Sequence, residues 1–324
     1  MGEIVKISVV GHDQISARQY LLWKKMNDLG LAEVQVLAPE RWHSEVANSQ
    51  YVTPVETLYA GDIGRYMMNV EPHIVKFKPD WIVSMTEFWR QQSFINLQIA
   101  KIHKIKSAFF RWENLPIDDS LPEGMREIER TILKEANLLI CGNKEAEHIT
   151  KPRTKRPIVN LLETGIDTDT FKPVTAQLKH QVLYVGRQTP GKGLETIREA
   201  TRDMDLYVND GLTPYEKLPE LMCSSSVGVI GSRDMVGWKE QCCYVIGEML
   251  ACGLPVISTN AGSIPEIWGQ CPLLHLVPQN NPEAMREAIV NMIKNPPSRT
   301  RGPEWIAATY NNTRLAQRYV EVLK

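Results

Sequence analysis

The sequence predicts an α/β fold of two Rossmann-like domains in succession, and three observations carry that prediction. Short β-rich runs alternate with amphipathic helical stretches throughout the chain, the pattern of parallel sheets covered by helices. That pattern starts afresh after TDTFKPVTAQLKH (168–180), a polar, proline-bearing stretch without periodicity. The length of 324 residues, 43% hydrophobic and 23% charged, suits a soluble protein of two domains, each with its own core.

In the first half, IVKISVV, VQVLAP, DWIVSM, SAFFRW, NLLICG and PIVNLLE read as strands. Helices lie between them, among them YLLWKKM (20–26) and EGMREIERTILKEA (123–136). In the second half HQVLYVG, DLYVND, SVGVIGS, LPVISTN and LLHLVP read as strands, with KGLETIREAT and YEKLPELMCS as helices. Asn281 and Pro282 open a further helix as N-cap and first-turn proline, with Met285, Ile289, Met292 and Ile293 on one face. The segment from Pro303 to Lys324 reads as one closing helix with no strand after it. We therefore expect a first domain over 1–170, a second over 171–303, and a terminal helix over 304–324. Open α/β sheets bind ligands beyond the carboxyl ends of their strands, so the chemistry is expected in a cleft that the two domains face.

Composition excludes several classes of function. With 37 Lys and Arg against 38 Asp and Glu, the formal net charge is -1, which argues against nucleic acid as the main partner. The basic run KPRTKR (151–156) reads as a solvated loop or as a contact for anionic lipid or a phosphorylated acceptor. No apolar run approaches the roughly 18 residues of a membrane span. The start, MGEIVKISVV, lacks the features of a signal peptide, and Lys6 stands where a myristoylation signal has Ser or Thr. The six cysteines form no C-x-x-C pair, so reduced thiols in a cytoplasmic protein are expected. Peripheral membrane contact stays open through YLLWKKM, which equally reads as a core face with snorkelling lysines.

The most informative stretch is YVGRQTPGKGLETIREA (184–200). Gly186, Gly191 and Lys192 have the G-x-x-x-x-G-K spacing of a nucleoside-triphosphate loop, but Gly193 replaces the Ser or Thr that would hold magnesium. What remains is anion chemistry. A strand ends at Gly186, Arg187 can fork two oxygens, and Lys192 stands at the mouth of a helix whose dipole favours negative charge. A glycine-rich turn carrying two solvated cations is the other reading of these residues.

A second motif is EQCCYVIGEMLACGLPVISTNAGSIPEI (240–267). A helix beginning near Cys243 or Tyr244 would hold Glu248 within it and leave Glu240 just before it, so two carboxylates could address one ligand. Gly253 would end that helix as its C′ residue. VGRQTPGKG, the two glutamates eight apart, and EMLACGLPVISTNAGSIPEI, taken in that order, resemble the family-four (group 1) retaining glycosyltransferases of GT-B fold. LLETGIDTDTFKP is similar to that family's hinge motif, and a closing helix crossing back to the first domain is another family trait. The likeness is specific from about Leu162 to Ile267.

The resemblance implies a retaining, metal-independent glycosyltransferase with no cofactor, acting on a nucleotide-sugar donor (UDP-, GDP- or another) and a glycan, lipid-linked or small-molecule acceptor. Arg187 and Lys192 would hold the donor diphosphate, Glu248 the ribose, and Glu240 would face the donor sugar. Gly186 would allow close approach, and the amides of Tyr244 and Val245 would bind phosphate oxygens. The family often has glycine where this chain has Cys243, whose side chain is expected to crowd that turn. His12, Asp13 and Glu113 are acceptor-side candidates. His12 and Asp13 follow the first strand, where the family often has a glycine pair and this chain only Gly11; a helix-capping role is their alternative. Glu113, with Trp112, stands where relatives often place an active-site His, and a structural role is equally open. Glu87 has the right address but no distinguishing chemistry. The D-x-D of Asp167–Asp169 belongs to the hinge motif rather than to a metal site. The rival readings are another GT-B enzyme, such as a sugar-nucleotide epimerase, and a non-catalytic nucleotide-sugar-binding protein. Base contacts are expected near residues 211–214.

Overall fold

The computed structural model describes residues 4–116, 121–209, 211 and 213–324. It divides into two compact units, Met1–Gly165 with Leu315–Lys324, and Ile166–Arg314.

The first unit is built on a seven-stranded parallel sheet. Its strands are β1 (Lys6–Val10), β2 (Glu33–Pro39), β3 (Val52–Val55), β4 (Trp81–Ser84), β5 (Lys106–Arg111), β6 (Leu138–Cys141) and β7 (Ile158–Asn160), in the order 7-6-5-4-1-2-3. Ile7, Val9 and Val10 of β1 are wholly buried, as expected of a central strand covered on both faces. The order reverses between β1 and β4, so their carboxyl ends flank the topological switch point, the usual ligand position in open α/β sheets. His12 and Asp13 follow β1 there, and Glu87 follows β4. Strand β3 is not among the strands expected from the sequence. Pro54 interrupts its pattern, and the structure tolerates it because β3 is an edge strand paired only with β2. Two short antiparallel ribbons, Arg41–Trp42 with Glu45–Val46 and Thr57–Leu58 with Met67–Met68, lie within the segment 41–68.

Helices α1 (Ala17–Asp28), α2 (Glu71–Phe77), α3 (Gln91–Ile102), α4 (Glu123–Glu135) and α5 (Lys144–Thr150) also belong to the first unit. The YLLWKKM stretch is a core face: Leu22, Trp23 and Met26 are wholly buried. Trp23 donates to Gln14 Oε1 at 2.9 Å, and Lys24 pairs with Asp28. No helix among the described residues is long and apolar enough to cross a membrane. The KPRTKR run is tied down rather than loose. Arg153 forks the buried Glu129 carboxylate at 2.7 and 2.5 Å, and Arg156 donates to the Lys134 carbonyl at 2.6 Å.

The second unit has a five-stranded parallel sheet of β8 (His180–Val185), β9 (Leu206–Asn209), β10 (Ser225–Ile230), β11 (Val256–Thr259) and β12 (Leu274–Val277), in the order 9-8-10-11-12. Its switch point lies between β8 and β10. The helices are α6 (Leu194–Ala200), α7 (Leu218–Cys223), α8 (Tyr244–Ala251), α9 (Ile264–Trp268), α10 (Pro282–Lys294) and α11 (Arg301–Thr309). Val182, Tyr184, Ile197, Val227, Val229, Ile257, Met285 and Ile289 form one core cluster, with Met292 and Ile293 against it. Asn281 caps α10 as expected, accepting from the Ala284 amide at 2.9 Å. All six cysteines are buried and none is in a disulfide.

The closing segment is two helices where one was expected: α11, and α12 (Asn312–Leu323). Between them the backbone abandons the helical ladder for a parallel bridge to Ile166. The Ile166 amide donates to the Tyr310 carbonyl at 2.8 Å, and the Asn312 amide to the Ile166 carbonyl at 3.1 Å. Asn311 Oδ1 then accepts from the Arg314 amide at 2.7 Å and restarts the helix. Beyond it, Tyr319 lies edge-on to Trp23 with ring centroids 5.2 Å apart and donates to the Leu162 carbonyl at 2.9 Å.

Candidate active site

In the second unit the stretch from Gly186 forms a tight turn between β8 and α6. Gly186 follows the strand, and the Tyr184 hydroxyl donates to the Arg187 carbonyl at 2.7 Å. Burial pushes the Tyr184 phenol up to about 12. Arg187 itself is exposed. A 3-10 turn over Pro190–Lys192 leads into Gly193, which has a φ of 61°. An ideal Cβ at Gly193 would fall 1.9 Å from the Gly231 carbonyl oxygen. The backbone after β10 thus leaves no room for a side chain at position 193, so a Ser or Thr there would clash.

The loop between β10 and α8 locks onto this turn. The Arg233 amide donates to the Gly191 carbonyl at 2.9 Å, and its side chain to the Pro190 carbonyl at 3.0 Å. Lys192 Nζ lies 5.3 Å from the centre of the Trp238 ring and 2.5 Å from Glu240 Oε2. That oxygen also accepts from Ser232 at 2.8 Å. The Glu240 side chain is only 7% exposed, and such a charge-assisted, mostly buried bond is among the stronger polar contacts. Gly262 packs its backbone against Glu240: an ideal Cβ there would lie 2.1 Å from the Glu240 carbonyl oxygen. That carbonyl accepts from the Ser263 amide at 3.0 Å. The structure therefore brings Lys192 and Glu240 into one constellation.

Helix α8 starts at Tyr244, as the sequence suggests. Cys243 precedes it in the left-handed region, with φ 58° and ψ 61°, the conformation for which glycine is the default. Its thiol is buried, and burial together with the neighbouring Glu240 charge raises its pKa, so it is neutral at physiological pH. Tyr244 and Val245, both half-buried, form the first turn of α8, and Glu248 is buried one turn further on. We expect Cys243→Gly to change stability by less than about 1 kcal/mol. Relief of the left-handed strain, about 1–2 kcal/mol, opposes the lost burial of the thiol and the extra chain entropy of glycine, together about 1–2 kcal/mol. A urea titration checks this.

In the first unit, His12 and Asp13 lie in a 3-10 turn at the carboxyl end of β1. The His12 ring lies 4.6 Å from that of Trp42 and 5.2 Å from that of Tyr66. Tyr66 gives its only proton to Thr86 Oγ1 at 2.7 Å, so the 3.3 Å contact with His12 Nδ1 makes that nitrogen the donor. In the neutral ring, Nε2 is then the acceptor. Asp13 does not cap α1; its Oδ1 accepts from Gln14 Nε2 at 3.1 Å. Glu163, 4% exposed, was not singled out from the sequence, where it is one residue of the hinge motif.

Glu113 follows β5. Burial raises it to about 7 against the lowering effect of Arg111. Arg111, wholly buried, reaches Glu129 at 3.3 Å and Glu113 at 3.8 Å. Trp112 is half-buried, edge-on to Phe110 at 4.8 Å. Glu87 contacts Arg90 at 3.4 Å. In the D-x-D stretch, Asp167 Oδ1 accepts from the Asp169 amide at 3.2 Å, a local turn of the kind aspartate often makes. Of the expected base-contacting stretch 211–214, residue 212 lies outside the described residues. A groove of about 740 Å³, lined by Lys78, Lys104, Lys106 and Trp81 among others, opens at the amino ends of β4 and β5, away from the residues above.

Comparison with known proteins agrees with this fold. The family described as "Glycosyl transferases group 1" matches residues 168–295. A glycosyltransferase of Methanocaldococcus jannaschii, itself uncharacterised, is 25% identical over 134 residues, a match spanning 35% of this chain and 38% of the relative's length. Sucrose-phosphate synthase from Thermosynechococcus elongatus has the same fold, with a TM-score of 0.72 at 16% identity over 98% of both chains. Anabaena HepE, solved with UDP, superposes with a TM-score of 0.73 at 12% identity over 99% of both chains; it has also been solved with UDP-glucose. The chain has the GT-B fold, and its residues 168–295 match the model of the group 1 glycosyltransferases.

Proposed function

We propose that the protein transfers a hexosyl group from a nucleotide-diphosphate sugar to an acceptor hydroxyl, with retention of configuration and without a metal ion. The observation that carries this reading is the Lys192–Glu240 constellation at the switch point of the second sheet, built on a turn too tight for a magnesium-binding hydroxyl. Lys192 and Arg187 hold the donor diphosphate at Gly186, and the amides of Tyr244 and Val245 add the positive end of α8. Glu248 accepts from the ribose and Glu240 from the donor sugar. As the glycosidic bond breaks, charge gathers on the leaving diphosphate, where fixed cations and a helix terminus stabilise it most. The departing phosphate takes the acceptor's proton on the same face. His12, Asp13 and Glu113 belong to the acceptor side. HepE binds UDP and UDP-glucose in its structures, which favours a uridine donor.

A thermal-shift panel of UDP, GDP, ADP and TDP with their sugar conjugates, in EDTA, tests this. A ligand at about a hundred times its Kd adds roughly 2.7 kcal/mol, so one nucleotide family raises Tm in wild type and raises it less in Glu248→Ala. A shift that appears only with Mg²⁺ and ATP overturns the metal-free clamp. Turnover of the donor sugar without an acceptor would point instead to an epimerase.

A further inference from the structure

Arg111, the last residue of β5, is a cation with no exposed surface. Its Nη1 donates to Glu129 Oε1 of α4 at 3.3 Å, and its Nε to the Glu113 carbonyl at 3.4 Å. Towards the Glu113 carboxylate the contact is Nε to Oε2 at 3.8 Å, an ion pair without a hydrogen bond. Arg111 Nη2 and Glu113 Oε2 are both buried and find no hydrogen-bond partner among the described residues. Glu129, 1% exposed, is forked by Arg153 of the Lys151–Arg153 turn, at 2.7 and 2.5 Å. The Arg153 side chain is 37% exposed. Arg153, Glu129, Arg111 and Glu113 thus make a file of alternating charge from the surface to the carboxyl end of β5.

Two carboxylates draw on one buried guanidinium, and Arg153 decides the division. While Arg153 satisfies Glu129 through two charge-assisted bonds, the Arg111 charge is left to support Glu113. We propose that Arg153, Glu129 and Arg111 form a charge relay in which Arg111 is the positioning residue for Glu113, so that Glu113 meets an acceptor hydroxyl as an ionised carboxylate. The acceptor clause rests on the function proposed above, whereas the relay does not. The other groups facing Glu113 are Glu87 after β4, which Arg90 contacts at 3.4 Å, and Cys141 of β6, a thiol that burial pushes up to about 11 and so keeps neutral. Burial raises Glu113 to about 7; Arg111 works against that rise, and the charges of Glu87 and Glu129 add to it. Glu113 therefore changes charge near neutral pH, where a small change in its support alters its state.

The test is a carboxyl-region NMR titration of isotope-labelled glutamate, with the Glu113 signal assigned by its loss in Glu113→Gln. Wild type should show a Glu113 midpoint near about 7. Arg153→Met removes the outer cation, so Glu129 draws Arg111 away from Glu113 and its own charge is less neutralised. Both effects raise the midpoint, by roughly half a unit or more, against about 1–3 units for a directly paired charge. Glu129→Gln removes the competing anion and lowers the midpoint, and Arg153→Lys, which keeps the charge, restores it. Stability carries the same sign. Between about pH 4, the unfolded carboxyl value, and about 7 the folded chain binds the extra proton, so the contribution of Glu113 falls as pH rises. In that window the wild-type unfolding constant, relative to Glu113→Gln, grows up to about tenfold per pH unit, and it is level above the window.

A Glu113 midpoint that stays put or falls in Arg153→Met overturns the relay, as does a wild-type midpoint at the ordinary carboxyl value. If Glu129→Gln does not fold, the two Arg153 variants decide, because that side chain reaches the surface. A merely structural Arg153 would lower Tm without moving the midpoint. With the donor saturating, the acceptor KM should rise as pH falls through the midpoint in wild type. That rise should begin at higher pH in Arg153→Met and disappear in Glu113→Gln. An acceptor KM that ignores the midpoint removes Glu113 from the acceptor side and leaves the relay standing, so the two failures are told apart.

Discussion

Lys192→Ala is expected to lower kcat about 10²–10³-fold, the usual cost of removing one group that stabilises developing charge. The loss should fall on kcat more than on the donor's KM, because the diphosphate carries more negative charge once the glycosidic bond is breaking. Lys192→Arg should recover part of the rate, since the charge remains while the guanidinium fork does not match the ammonium's reach. Lys192→Ala also deprives Glu240 of its 2.5 Å partner, though Ser232 still donates to it. A modest fall in Tm should accompany the kinetic loss. Steady-state kinetics with the nucleotide-sugar found by thermal shift check the first part, and a melting curve the second. A kcat within a few-fold of wild type would remove Lys192 from the site.

The largest stability effect is expected from Gly193→Ser, the substitution that would restore the spacing of a triphosphate loop. Its Cβ would lie 1.9 Å from the Gly231 carbonyl oxygen, at a φ of 61°. Left-handed strain contributes about 1–2 kcal/mol and overpacking about 1–3 kcal/mol, so we expect a loss of roughly 2–5 kcal/mol in a urea titration. The obstructing atom is backbone at the end of a central strand, which cannot swing aside as a side chain can. A loss below about 1 kcal/mol would mean that the two loops move apart freely.

Much of the fold was legible in the sequence because its strands are buried on both faces. Runs such as WIVS and LLIC are short, apolar and buried throughout, and the helices between the strands are long enough to show a period. Strand β3 escaped because an edge strand may hold a proline, and Pro54 removed the pattern that marks a strand. The break between α11 and α12 escaped for a different reason: it is imposed by Ile166, some 140 residues earlier in the chain. In the candidate site, residue types and spacing pointed to Lys192, Glu240 and Glu248, but not to the direct bond between the first two. Glu163 left no local signal. A glutamate in a hinge motif becomes notable only when folding buries it.

The bridge at Ile166 also bears on the order in which the chain can mature. The second unit is continuous, from Ile166 to Arg314, whereas the first is completed by residues 315–324. Until that segment has left the ribosome, the buried faces of Trp23 and Trp81 lack the Tyr319 ring and the Leu323 carbonyl that they meet in the folded protein. Synthesis therefore delivers the second unit whole while the first still waits for its last piece, so the part made earlier is the part finished later.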